Sequence, residues 1–212
     1  DVDLTGTRIS HALVVDVEID AIVDRVVING VDVTDFVNQH DRWYPLRSML
    51  RPTTPDEARA GWTALDAEWA TAITRARTLS DDRLQQSVDG EFSFVETLRH
   101  LVFAIDKWFT VPVLGATFEP MGLPNRGSLD FGFPGLDYDV APTVDQALAA
   151  FADRRGRFGD RLTTLVAGDL DIAVDVLENG TNPLRECIFT VLEEGFWHLR
   201  YALRDLATLG LA

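Results

Sequence analysis

A mainly α fold, a bundle of four long helices preceded by a small β element, is what the residue pattern predicts, on three observations. Apolar residues recur at three- and four-residue spacing in four separate stretches, and most of these stretches open on a Ser, Thr or Asn that suits a helix N-terminus. The first 35 or so residues instead carry a short-period, Val- and Ile-rich pattern. Finally, 46% of the 212 residues are hydrophobic and 25% charged, which is enough to bury a full core, while no apolar run is long enough to span a bilayer.

Residues 1–37 form the β element. Leu4, Ile9, Val14 and Ile19 occupy one five-residue register, and Val2, Thr7, Ala12, Val17 and Ile22 the position two before. This rhythm resembles the pentapeptide-repeat β-solenoid, in which one apolar side chain per five residues points inward. A plain hairpin or meander closed at Asn29-Gly30 accounts for the same alternation. His11 falls in this stretch and reads as structural. Residues 38–54 are polar, proline-punctuated and aperiodic, a linker or packing strap with His40 on its surface.

Residues 55–212 carry the bundle. The first helix is expected from Thr54 as N-cap, with Pro55, Asp56 and Glu57 in the first turn, through Trp62, Leu65, Trp69, Ile73 and Ala76 to about Leu79. The second is announced by the capping box Ser93-Phe94-Val95-Glu96 and carries Leu98, His100, Leu101, Val102, Ile105, Trp108 and Phe109. From Val111 to Pro142 glycine and proline are dense, with Phe118, Met121, Phe131, Phe133 and Tyr138 interspersed. The aromatics argue against disorder, so this is expected to be a packed crossover. A third helix opens at Thr143, with Gln146 completing a capping box, and runs to about Val166. Arg154, Arg155 and Arg157 on it read as a solvated face, the alternative being an anion contact near a substrate mouth. Residues 169–176 alternate as a short extended segment before the turn Glu178-Asn179-Gly180. Asn182 is then expected to cap, and Pro183 to begin, a fourth helix that ends near Leu209 with Gly210 after it. The long connection before the third helix allows a non-sequential helix order.

Composition excludes several functions. The formal net charge is −15, from 34 acidic and 19 basic residues, so phosphate backbones and anionic lipid surfaces are repelled at long range. Neither nucleic acid nor a membrane is an expected partner. A single cysteine, Cys187, leaves no internal disulfide framework and no Cys-rich zinc site. With no signal-peptide pattern, a cytoplasmic protein acting as monomer or homodimer is expected.

The chemistry centres on the fourth helix. Glu194 and His198 lie four residues apart and project from one helical face about 6 Å apart. They sit beside the apolar run Cys187, Ile188, Val191, Leu192, Phe196, Leu199, so a buried carboxylate and imidazole require a partner. His100, on the second helix, is the other histidine in a strongly apolar helical stretch. His100, Glu194 and His198 around a divalent ion leave a coordination position open, as in a catalytic rather than a structural zinc-type site. Two neutral imidazoles and one carboxylate leave a net charge of about +1, enough to lower the pKa of a bound water or thiol. A Glu194–His198 pair without metal is the alternative. Cys187 is placed too far up the helix to ligate and reads as core. Glu96, one turn before His100, is either its orienting carboxylate or part of the capping box. Trp197 and Tyr201 read as core, and Asp205 as a partner of Arg204 or Arg99.

The stretches Gly90-Glu91-Phe92-Ser93-Phe94-Val95-Glu96-Thr97-Leu98-Arg99-His100-Leu101 and, from Val191 to Leu206, VLEEGFWHLRYALRDL resemble those of the DinB-like superfamily of metal-binding four-helix bundles (DinB/YfiT-like), over residues from about 55 to 212. Many members of that superfamily bind a divalent metal through one histidine of the second helix and a His-x3-His pair of the last. The resemblance therefore implies His100, Glu194 and His198 as ligands, with Glu194 departing from the commoner histidine. A His, Glu, His set is what the mycothiol-dependent maleylpyruvate isomerases of the superfamily use for zinc. The implied cofactors are a divalent metal, zinc or alternatively nickel, and a low-molecular-weight thiol such as mycothiol. The implied activity is an S-transferase or isomerase in which a thiol, held as a metal thiolate, attacks small electrophiles. The contrasting expectation is a non-catalytic binding or interaction protein whose bundle metal site is structural or vestigial. An open, solvated site favours the first and a closed, dry one the second.

Overall fold

Asn29 and Gly30 take the left-handed backbone that a two-residue hairpin turn needs, with φ of +52° and +83°. In the computed structural model, which describes residues 4–21 and 23–210, this turn joins strands β1 (Val27–Ile28) and β2 (Val31–Asp32), with Ile28 opposite Val31. The short helix α1 (Thr34–His40) follows, and the exposed His40 donates from Nδ1 to the Phe36 carbonyl at 2.8 Å. These elements belong to the first of two units, Asp1–Arg42 and Trp43–Ala212.

Upstream of the hairpin, a left-handed residue recurs every five positions, at Gly6, His11 and Asp16. No strand forms among the described residues of 4–26. Leu4, Ile9, Val14 and Ile19 are 61, 75, 62 and 69% exposed, so the five-residue register does not appear as an inward-facing stack. Val2 and Ile22 of the other register lie outside the described residues.

In the second unit, residues 43–51 are a packing strap around helix α2 (Tyr44–Arg47). Leu46 and Leu50 are buried, Trp43 stands edge-on to Phe196 with ring centroids 6.1 Å apart, and the Arg51 guanidinium lies 3.6 Å over the Phe189 ring. The bundle begins with α3 (Pro55–Ala76), opened by the Thr54/Glu57 capping box and followed by the short α4 (Asp81–Leu84). Next comes α5 (Phe94–Ile105), opened by the Ser93/Glu96 box. It continues through a π-helical turn, Asp106–Thr110, into α6 (Val111–Leu114), where Pro112 has no N–H to donate and the regular ladder ends. The crossover leads to α7 (Val144–Thr163), opened by the Thr143/Gln146 box. Strands β3 (Ala173–Asp175) and β4 (Thr181–Pro183) pair antiparallel around the Glu178-Asn179-Gly180 turn, and α8 (Leu184–Thr208) closes the unit.

Three helix boundaries differ from the sequence expectation for identifiable reasons. Helices α3 and α7 stop near Ala76 and Thr163 because their last turns relax to tighter bonds, such as Leu79 N to the Ala76 carbonyl and Leu165 N to the Leu162 carbonyl. At α8 the N-cap is Pro183 rather than Asn182, whose side-chain amide instead closes the preceding turn on the Asn179 and Gly180 carbonyls.

Helix α3 packs against α7 and α8, and so does α5, so the order around the bundle is not the order along the chain. Helix α3 comes close to α8 at Gly195. A Cβ there would lie 2.9 Å from Leu65 Cδ2, and Trp69 Nε1 donates to the Gly195 carbonyl at 3.0 Å. This contact sets the rotation of α8 next to Glu194. On the other side, fully buried Asp106 accepts at Oδ1 from Arg154 Nε (2.7 Å) and from the Thr110 hydroxyl, and at Oδ2 from Glu119 N (2.7 Å). Arg154 is thus buried in a charge network, and Arg155 pairs with Asp66 at 2.6 Å. Of the cluster expected on a solvated face, Arg157, with its ion pair to Asp153, fits best. The crossover packs through a ring cluster of Phe103, Phe118 and Phe133, with centroids 4.8 to 5.9 Å apart.

Replacing Asp106 by Ala strips the buried Arg154 of its best acceptor. The free energy of unfolding is expected to fall by about 3 kcal/mol, the lower end for a broken buried pair because Asp153 and Glu119 still face Arg154. Urea denaturation reads it, and a loss below about 1 kcal/mol would show that the network carries no net stability.

Candidate metal centre

Helix α5 delivers His100 to the face that α8 covers, and α8 delivers Glu194 and His198 one turn apart. All three sequence-predicted residues meet there. One donor atom from each lies within 4.8 Å of the other two. His100 Nε2 is 3.3 Å from Glu194 Oε2, His198 Nδ1 is 3.4 Å from the same oxygen, and the imidazole centroids are 4.6 Å apart. A tetrahedral ion with ligands at about 2.1 Å holds them about 3.4 Å from one another.

Main-chain carbonyls orient both rings. His100 Nδ1 is 2.9 Å from the Leu123 carbonyl and His198 Nδ1 is 2.9 Å from the Glu194 carbonyl. An imidazole that donates from Nδ1 leaves Nε2 for a ligand, the arrangement usual around bound metals. With its only proton on Nδ1, His100 would turn the Nε2 lone pair toward Glu194 Oε2. Two acceptors at that distance repel unless a proton or a cation lies between them. The donor set therefore fits a divalent ion: two borderline nitrogen ligands and one hard oxygen, with a donor atom of each within 4.8 Å of the other two.

The charge state suits the same role. Burial, and next the facing His100, push the His198 imidazole down to about 4, so it is neutral near pH 7. For Glu194 burial acts upward, but without an ion a hydrogen bond from His100 Nε2, with the positive charge of neighbouring groups including Lys107, outweighs it and holds the carboxyl below its usual range. Solvent reaches one side only: the His100 side chain is 2% exposed, His198 17% and Glu194 31%. Phe92 flanks the His100 ring at 5.5 Å and the exposed Tyr201 flanks His198 at 5.9 Å, so Tyr201 is rim rather than core.

The other candidates take structural places. Cys187 is fully buried, and burial pushes its thiol up to about 11, which removes it as a nucleophile. Glu96 closes the capping box by accepting from Ser93 N at 2.8 Å, and Asp205 pairs with Arg204 at 2.7 Å. Residue-by-residue reading of the sequence misses the Leu123 carbonyl, since no side chain marks it. It also misses Lys107, the chain's only lysine, whose ammonium is held on the π-helical turn by Glu178 at 2.5 Å and acts on Glu194. A lone lysine in a regular apolar helix was the available signal.

A four-helix bundle whose facing helices bring two imidazoles and a carboxylate to one partly solvated point defines the class: a helical bundle with the donor set for a divalent ion. The chain belongs to the DinB superfamily, whose family model matches residues 36–202. No curated protein and no solved structure matches it.

The depressed His198 has a consequence for stability. The unfolded chain takes up this proton near pH 6.5, whereas the folded chain takes it up only near pH 4, so below pH 6.5 protons favour unfolding. Metal-free protein is expected to lose stability progressively from about pH 6.5 to about pH 4, and His198→Gln to flatten that slope. Thermal unfolding midpoints across this range check it. An unchanged slope in the variant would assign the acid sensitivity elsewhere.

Proposed function

We propose that this protein is a divalent-metal-dependent enzyme of the DinB superfamily that uses a low-molecular-weight thiol of the mycothiol type as S-transferase or isomerase toward small electrophiles. The observation that carries the reading is that donor atoms of His100, Glu194 and His198 lie within 4.8 Å of one another, with solvent access at Glu194. His100, Glu194 and His198 would hold the ion, zinc before nickel by donor type. Such an ion would supply Lewis acidity that keeps a thiol deprotonated near neutral pH. The chain's own residues do the rest. The Leu123 and Glu194 carbonyls aim the two rings, Glu194 supplies the one negative charge, and the apolar faces of α5 and α8 keep bulk water from the buried side. The exposure of Glu194 speaks against a closed structural site, in which the remaining position would be filled by protein.

Calorimetric titration of metal-free protein with zinc and with nickel tests the centre. His198→Ala is expected to weaken zinc binding by more than about 100-fold, beyond what loss of an outer partner costs. Glu194→Gln, which removes the charge and keeps the size, should weaken it less. Zinc affinity unchanged in His198→Ala would eliminate the site. Cobalt-substituted protein is then screened with small thiols for a change in its visible spectrum, and with monochlorobimane for transfer. A cobalt spectrum that no thiol perturbs would discard the transferase and leave the metal centre standing.

A further inference from the structure

Two aromatic side chains flank the histidines of the centre, one for each. Ring centroids run from Phe92 to His100 at 5.5 Å, from His100 to His198 at 4.6 Å and from His198 to Tyr201 at 5.9 Å. Phe92 stands just before the Ser93 cap of α5, and Tyr201 lies one turn beyond His198 on α8. An ion pair joins the two neighbourhoods. The Arg204 guanidinium, 5.4 Å over the Tyr201 ring, pairs through Nη2 with Glu91, the residue before Phe92, while its Nε holds Asp205 at 2.7 Å. The segment that carries Phe92 and the turn that carries Tyr201 are thereby tied to each other beside the centre.

Core packing does not account for Tyr201. It is 41% exposed, whereas Leu199 and Ala202 on the same turn are 0 and 2% exposed and carry the burial there. A large ring left in water forgoes the stabilisation of burial, and beside a partly solvated site it offers that surface to a ligand. Glu194 and His198 are the members of the donor set that solvent reaches, and Tyr201 stands against the second of them. A molecule coming to the donor atoms from solvent therefore comes alongside the Tyr201 ring. Aromatic rings gain most from flat partners in offset or edge contact, and a puckered aliphatic ring of equal size lacks that gain.

We propose that Phe92 and Tyr201 are specificity-determining residues of this site and that they select a flat, ring-bearing electrophile, its ring held against theirs. That the selected molecule is a substrate rests on the proposed function above, while the binding of a flat ring does not.

Benzamide and cyclohexanecarboxamide make the test pair, alike in size and polar group, one flat and one puckered. Each is titrated into metal-free protein while the ring signals of Phe92 and Tyr201 are followed by NMR. Benzamide is expected to shift both rings and to bind about 10-fold more tightly than the puckered amide. Tyr201→Ala should weaken benzamide about 3- to 10-fold, the worth of one aromatic contact, and leave the puckered amide unchanged. Tyr201→Phe keeps the ring and should bind benzamide as the unsubstituted protein does. Phe92→Ala should repeat the Tyr201→Ala result, and the exposed Tyr201 covers the case in which Phe92→Ala does not fold. Zinc affinity should not change in either Tyr201 variant, since the ring is not a ligand. If Tyr201 served the fold alone, Tyr201→Ala would melt earlier with its benzamide affinity intact, and the proposal would fall. Equal affinity of the unsubstituted protein for the two amides overturns it as well. Absence of zinc binding by the unsubstituted protein would instead remove the metal centre, and the amide comparison, made without metal, would still decide whether these rings take a flat ligand.

Discussion

Two imidazoles and a carboxylate are pressed together between apolar helix faces, and that crowding of polar groups is the constraint on which the rest of the second unit depends. It can persist only if the helices are held in register and each ring is oriented by a fixed partner. The register comes from the far side of α8, where Gly195 lets α3 approach and the Trp69 indole bonds the Gly195 carbonyl. The rotation that points Gly195 at α3 points Glu194 and His198 toward α5. Packing at one face of a helix thereby places chemistry on another.

The crossover between α6 and α7 is the second support. Counted along the chain, it is pinned at Glu119 N by Asp106, at the Met121 carbonyl by Arg99 and at the Leu123 carbonyl by His100. One stretch of main chain thus runs from a buried ion pair to a candidate ligand, and its aromatic side chains fill the space beneath it. This helps to explain how so long a connection, rich in glycine and proline, packs: its polar main-chain groups find partners in turns of its own, in the Arg99 and Thr110 carbonyls and in side chains of α5 and the π-helical turn rather than by strand pairing. The π-helical turn itself places Asp106 toward α7 and Lys107 toward Glu178, tying the β3–β4 turn to the same region.

Local interactions were legible in the sequence because they are set by near neighbours. The capping boxes at Thr54, Ser93 and Thr143, the hairpin at Asn29-Gly30, the β3 segment and the Glu194/His198 pair each need only residues a few positions apart. His100 was legible as a polar residue stranded in an apolar helix. The order of helices around the bundle, which makes α5 and α8 neighbours and so brings His100 to Glu194 across 94 residues of chain, was left open by local pattern and decided by packing. Arg154 was misread as solvated because its partner Asp106 lies 48 residues away. The Leu123 carbonyl could not be read at all, since every residue has one. The five-residue rhythm of the first unit was plain in the sequence, yet its side chains stay exposed, because periodicity states which residues share a face and only tertiary contact states whether anything covers it.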